Sequence, residues 1–310
     1  MEGAYRADGT PPAADRTQEA AMSPRSTETT GYLYVFAAAL LWSMIGPFSK
    51  NCIEAGLSPL EVAFWRAALG GACFFFQIAR WGGLRLPLRH ALLFGVFGLF
   101  TISVFYSSLQ IAIELSGAAT AMVLLYTAPA WVAVFARVLF HESLSGRKLL
   151  ALLLAMGGTA LVCFSGGSLA AAPSALGIAA GLISGLTYAA HFPIYLWWKS
   201  RYSTATLYAY MLLGGVLALA PFVDFAPTRS AWVWANLLAL GVLSSYVAYL
   251  ASCRSLQLIS PVKAAVIGNI EPVLGTFWVW LLWHENFSPI GWTGSALVIS
   301  AVFLLTLERK

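Results

Sequence analysis

Ten apolar stretches, each about twenty residues long, follow one another between residues 31 and 307, separated by short polar gaps. They do not alternate apolar and polar residues at period two, as a membrane-spanning strand would. As helices they are long enough to cross a hydrocarbon layer of roughly 30 Å. The pattern therefore predicts an all-α membrane protein with helices at about 31–51, 58–80, 90–113, 117–140, 147–165, 174–197, 203–223, 231–256, 260–283 and 287–307. The connections are short, as antiparallel neighbours require, and leave no room for a separate soluble domain. Residues 1–30 are a different material, rich in Ala, Pro, Thr, Ser, Glu and Arg with no apolar period. They read as a disordered cytoplasmic tail rather than a secretory leader.

Composition supports the lipid environment: 59% of residues are hydrophobic and 10% charged, with a mean hydropathy of +0.76, against about 25% charged in soluble domains. The net charge of +5 does not indicate a nucleic-acid partner, because the basic residues form no stripe and accompany no stacking module. They sort by side instead. With the N-terminus in the cytoplasm, the inward loops hold Arg80, Arg85, Arg89, Arg147, Lys148, Lys199 and Arg201, and the C-terminus holds Arg309 and Lys310. The outward loops hold Arg229, with Lys50 at a helix end. This positive-inside bias puts both termini in the cytoplasm. Cys52, Cys73, Cys163 and Cys253 form no CxxC pair and no ligand cluster with the histidines, so no metal or cofactor is expected. A Cys52–Cys163 disulfide is open by position but has no further support. No GxxxxGK[ST] stretch is present, which argues against ATP drive.

The chain also repeats itself. At a spacing of 143 residues Pro129 maps to Pro272, His141-Glu142 to His284-Glu285, Ser145 to Ser288, Tyr106 to Tyr249 and Leu154 to Leu297. At a spacing of 146, Trp42 through Pro47 resembles Tyr188 through Pro193. Residues 31–165 and 174–307 are thus two five-helix units. An odd number of helices leaves the chain on the opposite face, so the second unit is inverted relative to the first. Inverted repeats point to a secondary transporter.

These features resemble the drug/metabolite transporter superfamily, EamA type, over nearly all of residues 31–307. The resemblance is carried by Trp42-Ser43 and Lys50, by Phe64-Trp65-Arg66, and by the Pro…Glu…Gly run TAPAWVAVFARVLFHESLSGRKLLALLLAMGGTALV. It is carried again by GNIEPVLGTFWVWLLWHENFSPIGWTGSALVISAVFLL, with the family's Glu-Pro pair at Glu271-Pro272. It implies export or uptake of amino acids, related metabolites or toxic organic compounds without ATP, and a cavity lined by helices 1, 3, 4, 6, 8 and 9; export is the direction expected here. Two departures stand out. His141 and His284 replace the family's usual Gly before the loop Glu, and Ala301 stands where the first unit has Gly158, which predicts a difference in the packing of the tenth helix.

Charges at membrane depth are expensive and are site candidates by default. Glu271 sits in the middle of helix 9 beside Asn269 and Pro272, where a freed carbonyl and an acid suit a cation, an amino group or a proton; the first unit has Ala128 there. Arg66 fits either a substrate carboxylate or an ion pair with Glu61 or Glu271. Lys50 fits either a snorkelling end or a gate ion pair. His191 fits packing or proton coupling. Lys263 and Arg254 read as interfacial anchors, and His141 and His284 as helix-end hydrogen bonders with Glu142 and Glu285. Trp42, Tyr106, Tyr126, Tyr188 and Tyr249 read as aromatic walls of a substrate site, and Trp197, Trp198, Trp232, Trp234, Trp283 and Trp292 as interface belts. Pro47, Pro129, Pro193 and Pro272 supply helix bends. Gly177, Gly181 and Gly185 make a GxxxGxxxG face, with a smaller notch at Gly157-Gly158, for packing within the bundle or, alternatively, in a homodimer.

The resulting expectation is a carrier of small organic solutes working by alternating access, with a proton or another ion as the open question of coupling. An intramembrane enzyme and a channel are the competing classes. HExxH is absent, the chain reading His-Glu-Ser-Leu-Ser and His-Glu-Asn-Phe-Ser. A channel needs a continuous polar path.

Overall fold

The computed structural model of the protein describes residues 24–83, 86–165, 174–284 and 288–307, and among them every regular element is helical. Ten helices are long and apolar enough to span a bilayer: α1 (Ser26–Glu54), α2 (Pro59–Trp81), α3 (Leu88–Ser116), α4 (Ala118–Phe140), α5 (Gly146–Ser165), α6 (Ala175–Trp198), α7 (Thr204–Phe222), α8 (Ala231–Leu258), α9 (Pro261–Leu282) and α10 (Pro289–Thr306). We call the side on which α1 begins and α10 ends the terminal face, and the other the distal face. Arg85, Glu285, Arg309, Lys310 and the Trp283 side chain lie outside the described residues.

Serine starts many of these helices. Ser58, Ser174, Ser203, Ser230, Ser260 and Ser288 each have extended backbone, and each hydroxyl accepts the N–H of the third residue following. Each such cap satisfies an N–H that the helix itself cannot. The start of α1 differs from the sequence expectation. Helix begins at Pro24, so residues 24–30, expected within the tail, form its opening turns. The reason is Glu28: its Oε1 accepts from Lys263 Nζ at 2.6 Å and from the Tyr32 hydroxyl at 2.8 Å, tying α1 to the first turn of α9. Lys263 is accordingly buried rather than an interfacial anchor.

The inverted repeat is visible helix by helix. α1 breaks at Met44 into α1a (Pro24–Ser43) and α1b (Ile45–Glu54), and α6 breaks at Ala190 into α6a (Ala175–Ala189) and α6b (His191–Trp198). α4 breaks at Tyr126-Thr127 into α4a (Ala118–Leu125) and α4b (Ala128–Phe140), and α9 breaks at Asn269-Ile270 into α9a (Pro261–Gly268) and α9b (Glu271–Trp283). The breaks fall at the repeat spacings read from the sequence. α3 and α8 each widen into a π-helical segment, at Leu99–Val104 and Leu240–Val247. The loop histidines correspond too. His141 and His284 end their helices with left-handed backbone, φ 53° and 56°. That geometry explains why glycine suits the position. The Glu142 N–H closes this end by donating to the Ala136 carbonyl at 2.9 Å, while its carboxylate pairs with Lys148 at 2.7 Å.

The units meet at α5 and α10. A Cβ on Gly158 would lie 2.6 Å from the Gly294 carbonyl oxygen, and one on Gly294 would lie 2.5 Å from that of Gly158. Gly158 thus faces Gly294, and Ala301 shares an apolar cluster with Ala151 and Ala155. At the repeat spacing Gly158 corresponds to Ala301 and Gly294 to Ala151. The Gly158–Ala301 departure is therefore one crossing seen from its two ends, and no misfit of α10 results. Close approach through small residues is how membrane helices gain dispersion contacts. The glycines of α6 serve the same end inside the bundle: Gly177 meets Ser116, Gly181 meets Leu124 and Gly185 meets Thr127.

Gly158→Val is expected to destabilise the protein by about 1–3 kcal/mol by overpacking this crossing. A Cβ on neighbouring Gly157 meets nothing within 4 Å, so Gly157→Val is the control. Thermal unfolding in detergent, followed by tryptophan fluorescence, should lower the midpoint for the first variant only.

Candidate functional site

Residues flanking all four helix breaks converge on one cleft. Its walls include Trp42 from α1, Tyr126, Ala128 and Pro129 from α4, Tyr188 and Phe192 from α6, and Gly268, Asn269 and Glu271 from α9, with Val35, Val132, Ser252, Ala264 and Ala265 completing it. The free volume is about 20 Å³, room for about one water. A metabolite therefore enters only if the half-helices move apart.

The sequence places these breaks through proline. Pro129 and Pro272 sit in the second position of their half-helices, and Pro47 and Pro193 in the third. In a helix's first turn the missing N–H costs nothing, while the preceding turn loses a donor. Threonines add side-chain bonds beside the breaks: the Thr127 hydroxyl donates to the Leu124 carbonyl at 2.6 Å, and that of Thr276 to the Pro272 carbonyl one turn back in α9b at 2.6 Å.

Glu271 opens α9b, so its carboxylate lies at a helix N-terminus, where the partial positive charge favours an anion. The Tyr126 hydroxyl reaches it across the cleft, and the Arg66 charge acts on it. Arg66 makes no ion pair with it. Arg66 Nε donates to Ser245 Oγ at 3.2 Å, and its guanidinium lies 5.5 Å from the Tyr106 ring centroid. The expected Arg66–Glu61 or Arg66–Glu271 pair is thus absent. Glu61, fully buried, is instead held by Arg229, by the Ala226 N–H at 3.1 Å and by the Trp65 indole at 3.3 Å. The Arg229 guanidinium sits over both Trp65 and Trp234. A distal-face loop arginine on the α7–α8 connection thereby outcompetes Arg66, one residue along α2 from Trp65.

Behind the cleft lies a ring stack. Trp42 meets Tyr188 and Tyr249 edge-on at 6.4 and 5.9 Å, His191 stacks on Tyr208 and Tyr249 at 6.0 and 5.6 Å, and Tyr208 stacks on Tyr249 at 4.5 Å. His191 Nε2 donates to the Thr101 carbonyl at 3.0 Å, in the π-helical part of α3. The other π-helical part, in α8, supplies Ser245 to Arg66. Buried His191 Nδ1 and Asn269 Nδ2 have no hydrogen-bond partner within the protein, which leaves an acceptor and a donor free beside the cleft.

Of the residues named from sequence, Trp42, Tyr126, Pro129, Tyr188, Asn269 and Glu271 line the cleft. His191 and Tyr249 back it, while Tyr106 supports Arg66. Pro47 and Pro193 are buried behind their breaks. Lys50 stands near the distal end of α1b, away from the cleft walls. Tyr208, Ser245 and Thr101 went unnamed. The Ser244-Ser245 pair in the middle of an apolar run was the readable signal for the second.

The two repeats differ at the mouths. On the terminal side α4b packs on α9a. The α4b face of Ala128, Pro129, Val132, Ala133 and Ala136 is buried. On the distal side α9b and α4a make no comparable contact among the described residues. The matching α9b residues Glu271, Pro272, Gly275 and Thr276 are all partly exposed. The half-helices are thus packed together on the terminal side and less tightly on the distal side.

Ten spanning helices in two inverted units, with broken helices meeting at a shared cleft, define a membrane transporter fold. The comparisons agree. The model of the EamA-like transporter family matches residues 29–164 and again 175–307, and the chain belongs to that family. It is similar to an inner membrane transporter of Salmonella typhimurium, YicL, described as uncharacterized, at 27% identity over 90% of this chain and 96% of that protein. It is similar to an uncharacterized transporter of Archaeoglobus fulgidus at 26% identity over 90% of this chain and 97% of that one. A solved crystal structure 20% identical to it, covering 90% of this chain and 97% of its own, superposes with a TM-score of 0.77 and shares the fold.

Removing the Glu61 carboxylate leaves Arg229 in a mostly buried site without its anion. Glu61→Ala is expected to lower stability by about 3–5 kcal/mol, while Arg66→Gln leaves that fastening in place. Thermal unfolding of the two variants beside the parent separates these assignments.

Proposed function

We propose that the protein is a secondary carrier that moves a small organic solute by alternating access, with the terminal face in the cytoplasm and export as its direction. The carrying observation is the convergence of four broken helices on one cleft between inverted repeats. Non-helical backbone at membrane depth is tolerated only where protein or a water-filled cavity meets it. The charge pattern supports the orientation. Arg80, Arg89, Arg147, Lys148, Lys199 and Arg201 lie on the terminal side, whereas the distal Arg229 is spent on Glu61.

The cleft's chemistry suits an amphipathic metabolite with a cationic group. Glu271 offers a carboxylate, Asn269 a free donor, and Trp42, Tyr126 and Tyr188 apolar ring faces. Amino acids and their relatives fit this description. Arg66, held by one serine and a ring face, is placed to meet a substrate carboxylate once the cleft widens. The channel reading loses support from the cleft's small volume, which offers no continuous polar path.

A thermal-shift screen against amino acids and related amines supplies the substrate, since a ligand raises the unfolding temperature with its concentration over its affinity. Proteoliposome counterflow with the hit should be saturable and trans-stimulated. Glu271→Gln should lower that exchange about 10- to 100-fold, the weight of a charge-assisted hydrogen bond or two, while insertion and unfolding temperature stay near the parent's. Parent flux linear in concentration would remove the carrier reading.

A further inference from the structure

The closed terminal mouth serves as a template for the closed distal mouth, because the repeats exchange places when an inverted carrier switches sides. On the terminal side the contact at the break is small and apolar: Ala128, Val132, Ala189 and Ala265 share one cluster. The distal counterparts, at the repeat spacings, are Glu271 for Ala128, Gly275 for Val132, Ser43 for Ala189 and Met122 for Ala265. Further out, Ala133 and Ala136 pack with Val262 and Val266; at the repeat spacing Thr276 corresponds to Ala133, Ala119 to Val262 and Val123 to Val266. Three of the four inner positions remain small or apolar. Only at Ala128 does the second unit carry a charge.

Resting on the carrier reading above, we infer that Glu271 is the residue that licenses closure of the distal mouth: closure presses its carboxylate against Met122, and goes forward only when a bound cationic group or a proton has cancelled its charge. An ionised carboxylate driven into apolar contact loses favourable hydration without a compensating partner. A paired or protonated one loses far less. The groups facing Glu271 are Tyr126 from α4, Tyr188 from α6, Tyr249 from α8 and Arg66 from α2. Arg66 alone among them carries a positive charge able to cancel it without cargo. Ser245 and the Tyr106 ring hold that guanidinium aside, which keeps the empty carrier from closing by an internal ion pair.

The test uses the purified full chain with its four native cysteines replaced by alanine and one reporter cysteine added. Thr276→Cys reports the distal mouth and Ala133→Cys the terminal one. Both are labelled with a polyethylene-glycol maleimide at one fixed pH and normalised to the same protein in SDS. In the Glu271 background the distal reporter should label fast and the terminal reporter slowly. Glu271→Gln, which removes the charge and keeps the shape, should slow the distal reporter and speed the terminal one by roughly tenfold each. Glu271→Asp should label as the parent does. Equal labelling of Glu271→Gln and parent overturns the inference, as does Glu271→Asp behaving like Glu271→Gln, since charge is then not the determinant. Parent counterflow runs alongside: saturable exchange with unchanged Glu271→Gln labelling discards the licensing role and keeps the carrier, while absence of exchange discards the carrier itself.

Discussion

A backbone amide or carbonyl without a hydrogen-bond partner costs several kcal/mol in hydrocarbon, and this penalty organises the whole molecule. Where helices run unbroken they are free to face lipid, and the exposed surface is rich in Leu, Phe and Trp. Where they break, at Met44, Tyr126-Thr127, Ala190 and Asn269-Ile270, the freed groups must be turned inward. Four breaks turned inward at one place make a cleft with a few polar groups, Glu271 and Asn269 among them, in an otherwise apolar bundle. The site is thus a consequence of where proline sits in the chain, and its side chains are those that happen to flank a break.

The same constraint explains the two widened helices. A π-helical turn leaves a carbonyl or side chain out of register with the ordinary ladder. In α3 the carbonyl of Thr101 takes up His191, and in α8 Ser245 takes up Arg66. His191 and Arg66 are therefore each fixed by an irregularity in a neighbouring helix. Elsewhere glycine crossings, α5 on α10 and α6 on α3 and α4, bring the helices into close contact.

Much of this was legible in the sequence. Run length gave the ten helices, the 143-residue spacing gave the inversion, and the prolines gave the breaks to within three residues. Glu271, Asn269, Trp42, Tyr126 and Tyr188 were readable because a polar or aromatic residue near a proline at membrane depth has few structural uses. What was not legible depended on choice among partners. Glu61 had two arginines within reach of its chemistry, and the loop that brings Arg229 down onto Trp65 and Trp234 leaves no trace in helical periodicity. Lys263 looked like an interface anchor because its partner, Glu28, stands in a segment whose composition reads as disordered. The fit between Gly158 and Gly294 was hidden because the sequence alignment of repeats pairs each glycine with an alanine, and only the antiparallel crossing brings them face to face.

Duplication gives a carrier its two conformations, but identical halves would make the two mouths close with equal ease, loaded or empty. A pump or exchanger needs the opposite: closure must depend on cargo. The least change that breaks the balance is one charged residue at one of the two equivalent hinge contacts, which leaves the other mouth free to seal with small apolar side chains. The pair Ala128 and Glu271 has that form. A second acid at position 128 would burden both mouths alike, and an alanine at 271 would free both. On the gating role proposed for Glu271, the departure from symmetry at this one contact is what makes closure of one mouth depend on cargo.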